Sequence, residues 1–472
     1  MDSRFFTFVS ICAYTLGFLF AILALWRSRT PQGTVAWVVG LISFPFVAIP
    51  AFLVFGRNRF NKYTRKRRKL DRRVHEVLES LHKTYELESR FVEHFQSFKA
   101  IAQSVRQPSF TSNNKIELLI DGERAYARLI EQIENAKSYI LFQFYIFCDD
   151  KTGILFKDLL IKKSRQGVKI YFLYDDIATR LKRSFAKEMV SAGIKVAPFK
   201  SGKLLDSKIQ VNFRNHRKNV VIDGFISFLG GLNIGDDYLG LNKSIGHWRD
   251  SHVMIKGPAT ISAQLSFLKD WNWAQNEVLQ LNWEPQNSNG DSKVLVLHTG
   301  PADEEEAALL LHMTLINLAK RRIWISNPYF VPPEGLINCL ALAAQRGVDV
   351  RVIIPARSDN RYVDAAAKLY VEKLLRYGIR FFRYNAGFIH QKVVLIDSDF
   401  GMVASTNFDS RSLFINFEIQ AVSTEPTWVF DIEKMLTHDF TNCDEITIEI
   451  FDKQSILSQL FSRAANLISP ML

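Results

Sequence analysis

The sequence predicts an α/β protein in which an N-terminal transmembrane helical hairpin precedes two copies of one α/β unit that share a single active site. Three observations carry that prediction. Two uncharged apolar runs occupy the first 56 residues, a helix–strand alternation recurs in order behind them, and one polar motif occurs once in each copy.

The first run, Phe5 to Trp26, and the second, Thr30 to Gly56, contain no charged residue. Each exceeds the roughly 20 apolar residues that cross a hydrocarbon core. Only Arg27, Ser28 and Arg29 separate them, so the expected element is a hairpin of two helices, about 5–26 and 34–55, within residues 1–56. A cleaved signal peptide fits poorly, because the apolar stretch is too long, no small-residue cleavage site follows and a second run comes at once. Pro31, Pro45 and Pro50 predict a kinked second segment that crosses or only dips in.

Charge follows the hairpin. Residues 57–73 hold ten cations (Arg57, Arg59, Lys62, Arg65, Lys66, Arg67, Arg68, Lys69, Arg72 and Arg73) against the single acid Asp71, and they nearly account for the net charge of +12. A basic collar beside a membrane segment binds anionic lipid head groups and, by the positive-inside rule, places its flank in the cytoplasm. The expected location is therefore the plasma or inner membrane, multi-pass, with the catalytic halves on the cytoplasmic side. Residues 57–110 read as a basic helical linker, and the rest of the chain is close to neutral. Cys12, Cys148, Cys339 and Cys443 are scattered without a CxxC pair, which predicts buried, unreactive thiols.

The remaining chain says one unit twice. Glu123–Ala136 and Glu304–Ala319 have helical character, and apolar strands follow each, at Tyr139–Tyr145 and Ile323–Phe330. Arg165-Gln166-Gly167-Val168 is echoed by Gln345-Arg346-Gly347-Val348, a helix end closed by glycine ahead of a buried strand. Alternating helix and strand predicts a mostly parallel sheet in each copy. A period of roughly 180 residues is far too long for a solenoid, so this is a duplicated domain. The halves are expected at 111–285 and 286–472, divided near Pro285–Ser292.

The motif is HxKx4D. It occurs as His216, Lys218 and Asp223, then as His390, Lys392 and Asp397, with Asn233 and Asn407 each 17 residues after the histidine. Chance would give on the order of 0.03 such matches in a chain of this composition. Two, at equivalent points of a repeat, are not chance. A strand follows each lysine, and side chains two apart on a strand share a face, so His and Lys point the same way. If the halves face each other, two histidines and two lysines converge. That is a phosphodiester site that needs no metal or other cofactor. Ammonium groups offset charge on the non-bridging oxygens, Asn233 and Asn407 add amide donors, one imidazole attacks phosphorus and the other protonates the leaving alcohol. The odd His-to-Asp interval turns Asp223 and Asp397 away, so they are expected to support the motif. Asp250 and Glu418 are better placed to orient the imidazoles.

These paired motifs resemble the phospholipase D superfamily. The fuller pattern resembles the bacterial cardiolipin synthase family across essentially the whole chain. It includes Arg29-Thr30-Pro31, Ala36-Trp37 and Phe55-Gly56-Arg57 in the hairpin, Gly230-Gly231-Leu232-Asn233-Ile234-Gly235-Asp236-Asp237-Tyr238, Asn327-Pro328-Tyr329-Phe330-Val331-Pro332, Asn407-Phe408-Asp409-Ser410-Arg411-Ser412 and Ser469-Pro470-Met471-Leu472. The resemblance implies α/β/α sandwich halves, transfer of a phosphatidyl group between two phosphatidylglycerol molecules to give cardiolipin and glycerol, and His216 as the nucleophile. Two departures stand out: Gly231 replaces a hydroxyl residue of the first GSxN pattern, and Ala404 replaces the glycine of the second. Hydrolysis, by a phospholipase D or a nuclease, is the competing chemistry. Near-neutral catalytic halves argue against a nucleic-acid partner, and intact motifs argue against a non-catalytic scaffold.

Overall fold

A computed structural model describes residues 3–27, 31–56, 63–64, 70, 92–179, 181–200, 213–303, 305–452 and 454–467. The chain forms two compact units, residues 1–65 with 200–214, and residues 66–199 with 215–472. The basic residues expected to hold the membrane at 57–73 lie outside the described residues, as do Arg29, Thr30 and the terminal Ser469–Leu472.

In the first unit, helix α1 spans Ser3–Arg27. Its stretch Arg4–Trp26 is, among the described residues, the one helix long and apolar enough to cross a membrane. The second apolar run is two helices, α2 (Pro31–Ser43) and α3 (Pro45–Phe55). Pro45 supplies the reason: it lacks an N–H and restricts the residue before it, and Phe44 leaves the helical region at φ −134°. The expected helix over 34–55 is thus broken into pieces of 13 and 11 residues, each shorter than the roughly 20 that a straight span requires. Gly17 lets α1 and α2 touch, since a Cβ there would stand 2.4 Å from the carbonyl oxygen of Leu41. Ala21, Ala24, Leu41, Ala48 and Phe52 are buried between the helices, whereas Phe8, Phe18, Trp26 and Val47 face outward. Cys12 is on that outward face, and Cys148 and Cys443 are half-buried. Of the four free thiols only Cys339 is buried as expected, because α1 has no protein core on its outer side.

The second unit is built on one sheet of 15 strands, with two further short strands paired outside it. Its first half supplies β1 (Thr111–Ile120), β2 (Tyr139–Phe144), β3 (Lys169–Asp175), β4 (Lys195–Phe199), β5 (Asn219–Ile222), β6 (Ile226–Gly230), the short β7 (Trp248–Arg249) and β8 (Ser251–Lys256). The second supplies β9 (Ser292–Thr299), β10 (Arg322–Ser326), β11 (Asp349–Pro355), β12 (Arg380–Tyr384), the short β13 (Phe388–Ile389), β14 (Val393–Ile396), β15 (Phe400–Ala404), β16 (Glu418–Ser423) and β17 (Cys443–Ile446). The order β4-β3-β2-β5-β6-β8-β1 meets β9-β16-β15-β14-β10-β11-β12, with β17 added at the outer edge. One half therefore mirrors the other across the β1–β9 seam. Strands β2, β3 and β4 are parallel, as are β10, β11 and β12, while the motif-bearing strands β5 and β14 run antiparallel to β2 and β10. The expected sheet is parallel only at its outer thirds.

Burial on both faces explains the apolar runs: every residue of β2, β5, β14 and β16 is buried. Gly167 and Gly347, at φ +93° and +86°, end the helices ahead of β3 and β11, a conformation that glycine adopts without a Cβ penalty. The helix Thr260–Gln275 packs on β4, β5 and β9, and Pro426–Thr441 packs on β1, β14 and β15. Each of these helices thus touches strands of both halves.

Candidate active site

The two histidines reach one another's half through a matched pair of short backbone contacts. Asn215 bridges to Phe417 and the N–H of His216 donates to the Phe417 carbonyl at 2.9 Å. In the other half β13 pairs in parallel with β7, and the N–H of His390 donates to the Arg249 carbonyl at 2.7 Å. Next in sequence after Phe417 and Arg249 stand Glu418 and Asp250. Each carboxylate consequently meets the histidine of the opposite half: His216 Nδ1 lies 3.0 Å from both oxygens of Glu418, and His390 Nδ1 lies 2.8 Å from Asp250 Oδ2. Because a carboxylate only accepts, the Nδ1 proton is assigned to each ring and Nε2 is left for chemistry. The two acids singled out in the sequence each lie within hydrogen-bond distance of an imidazole. The crossing between halves was not legible there, since nothing local to Asp250 or Glu418 says which histidine each meets.

The lysines complete the cluster. The Nζ of Lys218 donates to the His216 carbonyl at 2.7 Å, and Lys392 donates to the His390 carbonyl at 2.6 Å. Lys392 Nζ also lies within 3.0 Å of both ring nitrogens of His390. The HxK segments precede their strands and are irregular, so the shared face comes from these carbonyl contacts and not from a strand pleat. All four side chains are buried, and Tyr145 packs edge-on against His216 with ring centroids 4.8 Å apart.

Burial sets the electrostatics. It drives His216 down to about 4, with Lys218 and Lys392 adding to the effect and Glu418 opposing it. Burial also pushes His390 well below the usual imidazole range, helped by both lysines. Both rings are neutral near pH 7, as a nucleophile requires. Lys218 falls well below an ordinary lysine through burial, and Lys392 falls to about 8 for the same reason. Two buried ammonium groups beside two imidazoles favour an anion between them, because an anion stabilises their charged forms. The acids differ. Burial raises Asp250 to about 6, whereas for Glu418 burial is outweighed by His216, Lys218 and Ser405, and its carboxyl stays below its usual range.

The surroundings of the two acids also differ at Gly231. In the second half, Ser405 Oγ donates to Glu418 and accepts the N–H of Ile419 at 2.9 Å. At the equivalent place in the first half a Cβ on Gly231 would stand 2.0 Å from Asp250 Oδ1. The shorter carboxylate occupies the hydroxyl's position and itself accepts the N–H of Ser251 at 2.8 Å. The departure from the GSxN pattern is thus matched by the change from Glu to Asp.

Asp223 and Asp397 face away, at φ +52° in both cases. Asp223 accepts the N–H groups of Lys137, Ser138 and Tyr139 at 2.7–2.9 Å, and Asp397 accepts those of Lys320, Arg321 and Arg322 at 2.8 Å. They tie the turn after β5 or β14 to the start of β2 or β10. Asn233 accepts the N–H of Ile146 at 3.0 Å and donates to the Tyr238 hydroxyl at 3.1 Å, so its amide supports the frame. Asn407 is buried, and its Oδ1 has no hydrogen-bond partner among the described residues.

A buried ion-pair layer beneath the site went unnoticed in the sequence. Arg217 donates to Asp270 at 2.6 Å, to the Glu418 carbonyl at 3.0 Å and to the Thr299 carbonyl at 2.8 Å. Asp270 also takes Asn215 and Gln143, each at 2.8 Å. Arg249 donates to Asp439 at 2.8 Å and to Asp121 at 3.0 Å, and Gln391 joins Asp439 at 2.9 Å. The signal was the variable x of HxK, occupied here by the polar Arg217 and Gln391.

Two HxKx4D histidines, each braced by the carboxylate of the opposite half over paired lysines, define a phosphodiester-transferring enzyme of the phospholipase D superfamily. A family model described as the cardiolipin synthase, PLD-like domain matches residues 129–268 and 313–442, one stretch in each half. Cardiolipin synthase A of Pseudomonas aeruginosa (strain LESB58) is 39% identical over 464 residues, covering 97% of this chain and 94% of that protein. Cardiolipin synthase A of Pseudomonas putida (strain W619) is 38% identical over 473 residues, covering 99% and 98%. Among solved structures, phosphatidylserine synthase of Haemophilus influenzae Rd KW20 superposes with a TM-score of 0.56 at 15% identity, over 79% of this chain and 100% of that one, which shows the shared fold. The chain belongs to the cardiolipin synthase family, as a phosphatidyltransferase.

Proposed function

We propose that the protein joins two phosphatidylglycerol molecules into cardiolipin and free glycerol, with His216 as nucleophile and His390 as general acid and base. The crossed pair His216–Glu418 carries this reading. Attack by His216 Nε2 on phosphorus leaves a phosphorylated, cationic ring, and an ionised Glu418 opposite Nδ1 stabilises that charge. The phosphodiester anion bound beside it lets His390 take up a second proton at Nε2, with Asp250 stabilising the imidazolium at Nδ1. His390 gives that Nε2 proton to the departing glycerol oxygen and ends neutral. A second phosphatidylglycerol then loses a hydroxyl proton to His390, attacks phosphorus and frees His216. Lys218 and Lys392 hold the non-bridging oxygens throughout, and Asn407 adds a donor.

The hairpin and the basic stretch 57–73 keep this site against an anionic bilayer where both substrates lie, in a plasma or inner membrane, with both chain ends on the cytoplasmic side. The test is purified protein in micelles with phosphatidylglycerol alone, products resolved by mass. Cardiolipin and glycerol in equal amounts are expected, and phosphatidic acid with glycerol would mean that water is the acceptor. His216→Ala and His390→Ala should each remove transfer, by roughly 10⁴-fold or more. Residual activity in the double-digit per cent range would overturn the shared site.

A further inference from the structure

The last described helix, Ile456–Leu467, is inside out. Its inward face is small and polar: Ser462 and Ala465 are buried, Ser458 and Asn466 half-buried, and Asn466 accepts the Tyr370 hydroxyl at 2.8 Å. Its outward face holds Ile456, Leu457, Leu460, Phe461 and Leu467, exposed by 75, 78, 57, 39 and 82%. A soluble surface helix turns these two faces the other way. Arg463, also exposed, is the helix's one charged residue.

The helix packs along Arg361–Leu375, which extends the surface: Tyr362 is exposed beside Phe461, their ring centroids 6.1 Å apart, and the Arg361 guanidinium lies 5.3 Å from the Phe461 ring. Aromatic rings and arginines around a leucine-rich face match the composition of a helix lying in a head-group layer, with apolar groups below and cations at phosphate level. The same platform reaches the active site. Val331, Val363, Ala365, Ala366 and Ala465 form one cluster on which Tyr329 packs, and the Tyr329 ring stands edge-on to His390 at 6.3 Å.

We infer that Ile456–Leu467 with Arg361 and Tyr362 is a second membrane contact, a helix that lies in the lipid surface beside the mouth of the site. The hairpin tethers the chain, and this face fixes how the catalytic unit meets the bilayer. A tether alone leaves the unit free to tumble above the surface, whereas a helix sunk to its leucines presents the His390 side of the site to lipid head groups.

The test uses the full chain in nanodiscs of equal parts phosphatidylglycerol and phosphatidylcholine, with the photoreactive residue p-benzoylphenylalanine placed at Leu460. Irradiation followed by mass spectrometry should give a lipid adduct at that position. An adduct to a second copy of the chain, or no adduct, would overturn the proposal. This readout needs no turnover, so it stands or falls apart from the proposed reaction. In parallel, Leu457→Glu with Leu460→Glu should lower turnover of bilayer phosphatidylglycerol by about tenfold or more. Activity on monomeric short-chain phosphatidylglycerol should stay within about twofold, since both leucines already face solvent and the fold does not need them. Equal activity of variant and parent in the bilayer would also overturn it.

Discussion

Glu418 collects the Nδ1 proton of His216, the Ser405 hydroxyl and the Asn416 amide, whereas Asp250 collects His390, Trp248 and the N–H of Ser251. The two sites are therefore built from different parts for one task. Gly231→Ser should drive Asp250 off His390, because its Cβ would enter the carboxylate, and kcat/KM should fall roughly 10²-fold. Adding Asp250→Glu recreates the second half's serine and glutamate, and should recover at least about tenfold of that loss. No recovery in the double variant would show that the glycine serves something other than this carboxylate. The same residues set the pH range. Asp250, near 6, loses its negative charge as pH falls through that value and no longer holds the His390 proton. Lys392, near 8, loses its positive charge as pH rises through that value and no longer holds phosphate. The free enzyme's kcat/KM should thus be bell-shaped, with limbs near these two values. A profile flat across this window would sink the assignment of either group.

At the scale of elements, each motif ends in an aspartate that accepts three successive N–H groups at the start of the neighbouring strand. Asp397 is buried, so Asp397→Ala would leave those donors unpaired and lose a side chain suited to positive φ. A loss of about 3 kcal/mol is expected, read as a fall of several degrees in the melting temperature of the micellar protein. An unchanged melting temperature would refute the strand-tying role. The sequence spoke clearly at this scale, because periodicity and spacing are local. The duplicated helix–strand order, the glycine helix ends and the outward turn of Asp223 and Asp397 were all legible. The break at Phe44 was only half legible: three prolines foretold a kink, yet which one ends the helix depends on how Pro45 meets Gly17 of α1. The ion-pair layer was silent for a similar reason. Arg217, Asp270, Arg249 and Asp439 lie 53 and 190 residues from their partners, and only the folded sheet brings them together.

Taken as a whole molecule, the second unit is two halves, each of which lacks by itself part of the proposed site. His216 has its carboxylate in the second half and His390 has its carboxylate in the first. Arg249 of the first half is buried against Asp439 of the second, and Arg217 donates to the Glu418 and Thr299 carbonyls across the same boundary. The sheet itself crosses the boundary, where β1 pairs with β9. Removing one half would take Asp439 from Arg249 and His216 from Glu418, and would leave these groups to solvent and to the partners of their own half. The covalent link contributes far less. Gln286 and Asn287 are exposed in the connection before β9, which starts at Ser292, and the next residue, Ser288, is the buried one whose hydroxyl donates to the Asn113 carbonyl. A protease site inserted between Gln286 and Asn287 should therefore be cut without consequence: the fragments should migrate together and keep activity within about twofold of the uncut chain. Fragments 1–286 and 287–472 expressed separately should each be inactive, and co-expression should restore transfer, because each completes the other's histidine. Cut fragments that separate, or a single fragment that makes cardiolipin, would show that the crossed carboxylates are not what assembles the site.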